Sequence, residues 1–265
     1  MARTRREAVN WPTILRELTV IDVVDVSATT RRITLSGDQL AKFEVAGGTA
    51  AAFATEGFDD HVKLLVPLAG TDRPPLPVQG PDRLEWGGAG GRPVAKDYTP
   101  RRFRPANGSV PGELELDFVL HPGGFAAEWA RRVTPGELAW VVGPTRSLLL
   151  PTGVEHLVFA ADETALPAVG RLLESWSTDV SADVVVNVPG EDSEQDLVAP
   201  ESVNLIWAHG TTAWLDEVRR LTPVIGSTFC WFAGESAAVR ELRRFATTDW
   251  SVPRDCLDAT GYWRT

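Results

Sequence analysis

Two apolar rhythms divide this chain near residue 151, and that division restricts the possible folds more than any other feature. Ahead of it, short β-like runs such as "ELTVIDVVDVS", "RRITLSG", "HVKLLVPL", "ELELDFVLH" and "ELAWVVGP" are cut apart by Gly and Pro. Such spacing predicts an antiparallel barrel or sandwich. In "ELELDFVL" alternation sets Leu114, Leu116 and Phe118 on one face. A single helix, 125–133, interrupts the series. Beyond residue 151 the pattern becomes strand, helix, strand, with runs such as 184–188 continuously apolar, as strands covered on both faces are. That alternation predicts a doubly wound parallel sheet. The expected architecture is an N-terminal antiparallel β-barrel, residues 1–150, followed by a C-terminal α/β domain with a parallel sheet, residues 151–265. A ligand is expected in the crevice between them. The Pro- and Gly-rich stretch 68–95 is expected to be a long surface excursion.

Charge and composition narrow the function. A net charge of −10 and a pI near 5.0 argue against nonspecific nucleic-acid binding, which needs clustered positive charge. No apolar run reaches the 18 or so residues that cross a bilayer. The basic start, "MARTRREAVNWP", lacks the apolar core of a signal peptide, so Arg3, Arg5 and Arg6 are expected to form a solvated tail. Two cysteines without a CxxC suit a reduced, cytoplasmic protein, and Cys230, within "STFCWFAGE", reads as a small buried hydrophobe. The four histidines lack metal-ligand spacing, and GxSxG, HExxH and the phosphate-binding loop are absent. With no catalytic set of its own, an enzyme of this kind would borrow an organic cofactor. Ten tryptophans pack cores or stack on flat ligands, and Phe58, Trp86 and Trp214 are open to either use.

Three stretches are candidates for chemistry. In "KDYTPRRF", 96–103, Lys96 and Tyr98 share one strand face and are able to hold a planar ring and a phosphate; Thr99 and Arg101 fall on the other. The same residues also describe an ordinary barrel strand with a core tyrosine. In "HPGGFAAEWA", 121–130, Gly123 and Gly124 precede a helix whose first N–H groups suit a pyrophosphate, or simply close its N-terminus with a turn. In "FAADETALPAVGRLLES", 159–175, a strand turns into a helix through acidic residues where a phosphate cradle would carry glycines. Asp162, Glu163 or Thr164 is expected to cap that helix, and Pro167 suits its first turn.

Taken together and in order, these motifs resemble the siderophore-interacting protein family, FAD-containing ferric-siderophore reductases of the ferredoxin-reductase-like superfamily. "HVKLLVP", "KDYTPR", "HPGGFAAEWA", "ADETALPA", "AGESAAVRELRR" and the terminal "GYWR" each match a family segment. The resemblance implies FAD held mostly by the barrel, with Tyr98 against the isoalloxazine. Lys96, Asp97, Thr99 and Arg101 would surround the flavin or its phosphates. Val119, His121, Gly123, Gly124, Phe125, Ala126, Ala127 and Trp129 would line the pyrophosphate and adenine side. Asp162, Glu163, Thr164 and Trp263 would face the flavin where a nicotinamide docks. Ferric siderophore would meet a local basic surface drawn from Lys63, Arg101, Arg102, Arg104 and Arg264, in a chain that works as a monomer. Against the family pattern, Lys96 replaces Arg and loses its bidentate fork. Ala127 replaces Ser, Ala161 replaces Gly, and Gly210 stands where many relatives carry Arg. The donor is left open between NADPH, NADH and reduced ferredoxin. The implied reaction reduces Fe(III) on a siderophore, so that the weakly held Fe(II) is released. A general NAD(P)H-dependent flavin oxidoreductase with another acceptor, or a flavin- or siderophore-binding protein without turnover, are the alternatives.

Overall fold

The structure is a computed structural model that describes residues 5–67, 71, 73–80, 83–85, 93–223 and 227–264. The chain separates into two compact units, Ala8–Leu148 and the chain from Leu149 onward, the latter joined by the residues that precede Ala8.

The first unit is an antiparallel seven-stranded sheet. Its strands are β1 (Leu15–Asp25), β2 (Thr30–Ser36), β3 (Val62–Leu65), β4 (Ala95–Tyr98), β5 (Pro100–Arg104), β6 (Glu113–Val119) and β7 (Leu138–Val142). They lie in the order β5-β6-β2-β1-β7-β3-β4. The two edge strands, β5 and β4, are separated in sequence by Thr99 alone. The sheet therefore has to curl until its edges meet at that residue, and this produces the expected barrel. The alternation read in β6 holds for the apolar side, with Leu114, Leu116 and Phe118 fully buried. They join Leu18, Val20, Ile33, Leu35, Val62 and Leu64 in one core. Each such side chain withdrawn from water contributes roughly 1.5–3 kcal/mol. Helix α1 (Phe125–Arg132) covers this core with Ala126, Trp129 and Ala130. Phe58 is also buried.

The described part of the 68–95 excursion is more than a surface loop. A short hairpin pairs Val78–Gln79 with Leu84–Glu85, and Leu76 and Leu84 pack on Leu65, Trp140 and Val142 on the sheet's other face. Residues 68–70, 72, 81–82 and 86–92, Trp86 among them, lie outside the described residues.

The second unit holds the parallel sheet: β8 (His156–Asp162), β9 (Ser181–Val188), β10 (Val203–His209), β11 (Thr228–Glu235) and β12 (Leu257–Trp263), ordered β10-β9-β8-β11-β12. Its helices are α2 (Leu166–Glu174), α3 (Thr211–Arg220) and α4 (Ser236–Thr248). The chain moves outward from β8 through β9 to β10, then returns to place β11 on the other side of β8. Phe229, Cys230, Phe232 and Ala233 are wholly buried, as is Trp214, so both Cys230 and Trp214 are core residues. Burial pushes the Cys230 thiol up, away from reactivity.

The expected solvated tail is corrected at Arg6; Arg5 is exposed as expected, and Arg3 lies outside the described residues. Arg5 N–H donates to the Asp255 carbonyl at 2.8 Å. Arg6 is 4% exposed, its Nε donating to the Leu149 carbonyl at 3.0 Å and its Nη1 lying 3.5 Å from Asp258. A guanidinium satisfies several acceptors at once, and this holds the start of the chain inside the α/β unit rather than with the barrel, where the span 1–150 had set it.

Candidate functional site

The barrel seam carries the first candidate residues. Register places Val62 opposite Tyr98, Lys63 opposite Asp97 and Leu64 opposite Lys96. Lys96 and Tyr98 share a face as alternation requires, while Asp97 turns to the opposite side and takes an ion pair from Lys63 Nζ at 2.6 Å. Tyr98 is half-buried against Phe118, with centroids 4.3 Å apart and rings inclined by 38°. Burial pushes its phenol up, so the ring stays neutral. Strict alternation breaks at the seam: a register shift between Pro100 and Arg102 makes Arg101 the extra residue of a bulge. Thr99 is 6% and Arg101 4% exposed, so Arg101 belongs to the interior and not to the basic surface expected of it.

The second group surrounds the start of α1. Gly123 has φ +77, a left-handed value that glycine adopts without cost. Gly124 is the N-cap, extended, and no side chain caps the helix. A Cβ there would collide with the His121 ring. The first N–H groups of α1 are thus left for an acceptor from outside the helix. His121 is exposed, and its carbonyl accepts from Arg131 Nη1 at 3.1 Å, a neighbouring cation that motif reading passed over. Val119 and Phe125 are half-buried. The side chains of Ala126, Ala127 and Trp129 point into the core, Trp129 standing 5.5 Å from Phe118. Ala126 and Ala127 stand in the first turn, where backbone N–H groups are left open, whereas Trp129 lies beyond it. The helical period that exposes Glu128 buries the positions on either side of it.

On the outer face of the sheet, Arg104 bonds Glu113 and sits 2.9 Å from Glu115, while Arg102 lies 4.0 Å from Glu115. Arg32 grips Asp117 with bonds of 2.6 and 2.8 Å. The alternate positions of β6 thus form an ion-paired ladder, and the charges of Arg102 and Arg104 are balanced where they stand. Lys63, whose side chain is 52% exposed and paired with Asp97, borders a cavity of about 330 Å³ with His61, Arg83, Leu84, Val142 and Thr145. Arg83, 3.6 Å from Glu85, brings a guanidinium to that cavity beside His61. Their sequence neighbourhoods carried no signal, because the chain returning through the 68–95 excursion brings them together.

The α/β unit explains the acidic turn. Asp162 is 3% exposed and accepts four bonds. Oδ1 takes Thr164 N–H (2.9 Å) and Thr164 Oγ1 (2.6 Å); Oδ2 takes Glu235 N–H (2.7 Å) and Trp263 Nε1 (2.8 Å). A Cβ on Gly234 would come 2.5 Å from this carboxylate. The expected capping of α2 is corrected: its N-cap is Ala165, without a side-chain bond, although Pro167 does sit in its first turn. Asp162 instead ties three strand ends together. Glu235 is the true cap, of α4, accepting from Ala237 and Ala238 N–H. Glu163 is half-buried, and Trp263 and Arg264 are exposed. No metal-binding group of His, Cys, Asp and Glu occurs among the described residues.

Comparison with known proteins agrees with this layout. The family described as siderophore-interacting FAD-binding domain matches residues 19–148, and that described as siderophore-interacting protein matches residues 154–265. The NADPH-dependent ferric-chelate reductase of Escherichia coli is 31% identical over 253 residues, covering 94% of this chain and 92% of the relative. The ferric vibriobactin reductase ViuB of Vibrio cholerae is 25% identical, covering 90% of this chain and 85% of its own. The crystal structure of a siderophore utilization protein from T. fusca superimposes with a TM-score of 0.82 at 30% identity, covering 98% of this chain and 96% of that one.

Proposed function

The chain belongs to the siderophore-interacting protein family, with its ferredoxin-reductase-like fold, and from that premise we propose that it is an FAD-dependent reductase of ferric siderophores. The observation that carries the reading is the barrel seam. It sets a half-buried aromatic ring, a buried guanidinium and Lys96 within a few residues of each other, in the unit that also holds the uncapped N-terminus of α1.

These residues fit FAD. Tyr98 offers a flat apolar face, Lys96 and Arg101 offer cations, and the N–H groups behind Gly124 offer donors at the positive end of a helix. The missing Cβ of Gly124 lets the His121 ring stand directly against the backbone at the start of α1. Tyr98 would pack against the ring system, Thr99 and Arg101 would hold flavin or phosphate oxygens, and Gly123 to Ala127 would meet the pyrophosphate through their backbone. When bound, FAD supplies the conversion between a two-electron nicotinamide donor and one-electron reduction of ferric iron.

The rest is binding. Fe(III) held by hard oxygen ligands becomes Fe(II), which those ligands hold weakly, so reduction itself releases the metal. No general base is needed. The task of the chain is to bring an anionic chelate close, and Lys63, Arg83 and His61 around the cavity are the proposed surface for it, with Arg264 as a further cation. Arg102 and Arg104 are left out, since they do not line that cavity. NADPH, the donor in the name of the E. coli relative, is the proposed electron source, with Asp162, Glu163, Thr164 and Trp263 on the α/β unit's side. A monomer in the cytoplasm completes the proposal; among the described residues no helix is long and apolar enough to cross a membrane.

Purified protein tests this. It should carry or take up FAD, and its reduced form should be re-oxidised by ferric siderophores under anaerobic conditions. Lys63→Ala should raise the KM for an anionic ferric chelate about threefold to tenfold with the flavin spectrum unchanged, the loss expected for one charged contact. Protein that takes up no FAD would end the reading. Flavin that ferric chelates cannot re-oxidise would leave a reductase for another acceptor, or a binding protein.

A further inference from the structure

Resting on the reading that NADPH reduces this protein, we propose that Trp263 binds the oxidised, positively charged nicotinamide ring of NADP⁺ face to face, and that Asp162 is the positioning residue that holds the indole for it.

In an open α/β sheet, a dinucleotide lies across the carboxyl ends of the strands where strand order reverses, and its adenosine ribose is read at the end of the strand next outward. Here the reversal lies between β8 and β11, and that outward strand is β9. The nicotinamide end of such a ligand therefore points the other way, over the ends of β11 and β12. Trp263 is the last residue of β12 and is 43% exposed.

A large exposed ring is ordinarily free to change rotamer, but this one is fastened. Its sole side-chain donor, Nε1–H, goes to Asp162 Oδ2 at 2.8 Å, and its carbonyl accepts from Ser236 Oγ at 2.7 Å. A bulge sets its direction. Gly234 pairs with Gly261 but Glu235 pairs with Trp263, so Tyr262 is an extra residue in β12, and bulges re-aim the side chains beside them. Asp162 is itself held, 3% exposed and bonded also by Thr164 and by the Glu235 N–H. Side chains cannot be added around this arrangement. A Cβ on Gly234 would collide with the Asp162 carboxylate, and one on Gly261 with Ser236. A buried carboxyl, a bulge and close-packed glycines thus keep one exposed ring still. A ring held still loses little entropy when a flat ligand stacks on it.

The surroundings select which ligand ring that is. An indole face is negative, and it attracts a cation placed over it more strongly than a Tyr or Phe ring does. Oxidised nicotinamide carries one positive charge; adenine and reduced nicotinamide carry none. Carboxylates from Glu163, which follows β8, and Glu235, which ends β11, stand at these strand ends with the exposed Arg264, a balance that favours a cationic ring over a phosphate. The acidic strand-to-helix turn then has a use that a phosphate cradle would not serve.

The test titrates the oxidised holoprotein calorimetrically with NADP⁺ and with 2′,5′-ADP, which keeps the adenosine and its 2′-phosphate but lacks the nicotinamide. Neither reacts with oxidised flavin, so binding is read without turnover. Trp263→Ala, at a surface position, should weaken NADP⁺ about threefold to thirtyfold, the range of a cation over an indole, and leave 2′,5′-ADP unchanged. Trp263→Phe, which keeps a ring without the N–H, should fall between, and so should Asp162→Asn. Adding Asp162→Asn to Trp263→Ala should weaken NADP⁺ no further, since the two residues act through one ring. If Asp162→Asn does not fold, Ser236→Ala, which removes the other bond to Trp263, takes its place. Unchanged NADP⁺ affinity in Trp263→Ala, or an equal loss for 2′,5′-ADP, would overturn the inference; losses that add would overturn the positioning role. Failure of wild-type protein to bind NADP⁺ also overturns it, yet leaves the reductase reading intact if chemically reduced holoprotein still reduces ferric siderophore. If no FAD is taken up, the function reading falls, while the two titrations still decide the inference.

Discussion

Asp162 shows how one side chain acquires a role its neighbours in sequence do not announce. As part of an acidic strand-to-helix turn it resembles a helix cap, and Thr164 two residues later strengthens that impression. Its carboxylate turns instead toward Glu235 and Trp263, residues 73 and 101 positions away. Burial raises its pKa above the usual carboxylate range, and the bonds from Thr164, Trp263 and Glu235 pull the other way without cancelling it. A carboxyl raised in the fold binds its proton more tightly there than in the unfolded chain. Its contribution is therefore complete below the ordinary value of about 4 and is lost as pH rises through the raised one. Asp162→Asn removes this titration. The stability of the wild type relative to the variant, measured by thermal unfolding, should accordingly decline as pH rises from about 4 to 7. A difference that stays constant over that range would show that the carboxyl is not raised. Arg16 is a second case hidden from local reading: it occupies an apparently ordinary strand position, yet it is 2% exposed and donates to the carbonyls of Gln39 and Ala51. Burial alone lowers its pKa to about 10, still far above neutrality, so it stays a buried cation satisfied by carbonyl dipoles.

Among the elements, α1 and the seam between β4 and β5 carry the proposed FAD site. The helix is amphipathic in a way its sequence discloses, since Ala126, Trp129 and Ala130 recur at helical spacing and all are buried. Which atoms remain for a ligand is a separate matter, decided at the uncapped N-terminus. Gly124→Asp tests it: the backbone there is already extended, as a capping Asp requires, and the group its Cβ would meet is the exposed side chain of His121, which must turn aside. The change should move the stability of the FAD-free protein by no more than about 0.5 kcal/mol, since Asp and Gly cap comparably. A carboxylate beside a pyrophosphate should nevertheless weaken FAD binding about tenfold or more. Unaltered FAD affinity in a folded variant would remove α1 from the site. The seam was half legible. "KDYTPR" marks a strand with a ring and cations, but the bulge that buries Arg101 depends on pairing with β6, which strand periodicity does not encode.

At the scale of the whole molecule, the α/β unit includes the first described residues of the chain as well as everything after Leu149, with Arg6 as the fastening. Arg6→Ala should cost about 2 kcal/mol, the worth of hydrogen bonds from a charged donor, seen as a lower urea midpoint for that unit. A midpoint equal to the wild type would return the segment to the status of a loose tail. The sequence by itself determined the two-part architecture, the strand and helix character of each half and the family, because hydrophobic period and the order of short motifs are local properties of the chain. The tertiary structure alone decided which charges are available and which are spent. Arg101 is drawn inside by a bulge, Arg102 and Arg104 are matched by Glu113 and Glu115, Lys63 pairs with Asp97 where His61 and Arg83 border a cavity, and Asp162 is committed to distant donors. Charge and hydrogen-bond pairing act through space over a few ångströms, and the partners that settle them here lie from two to about a hundred residues apart.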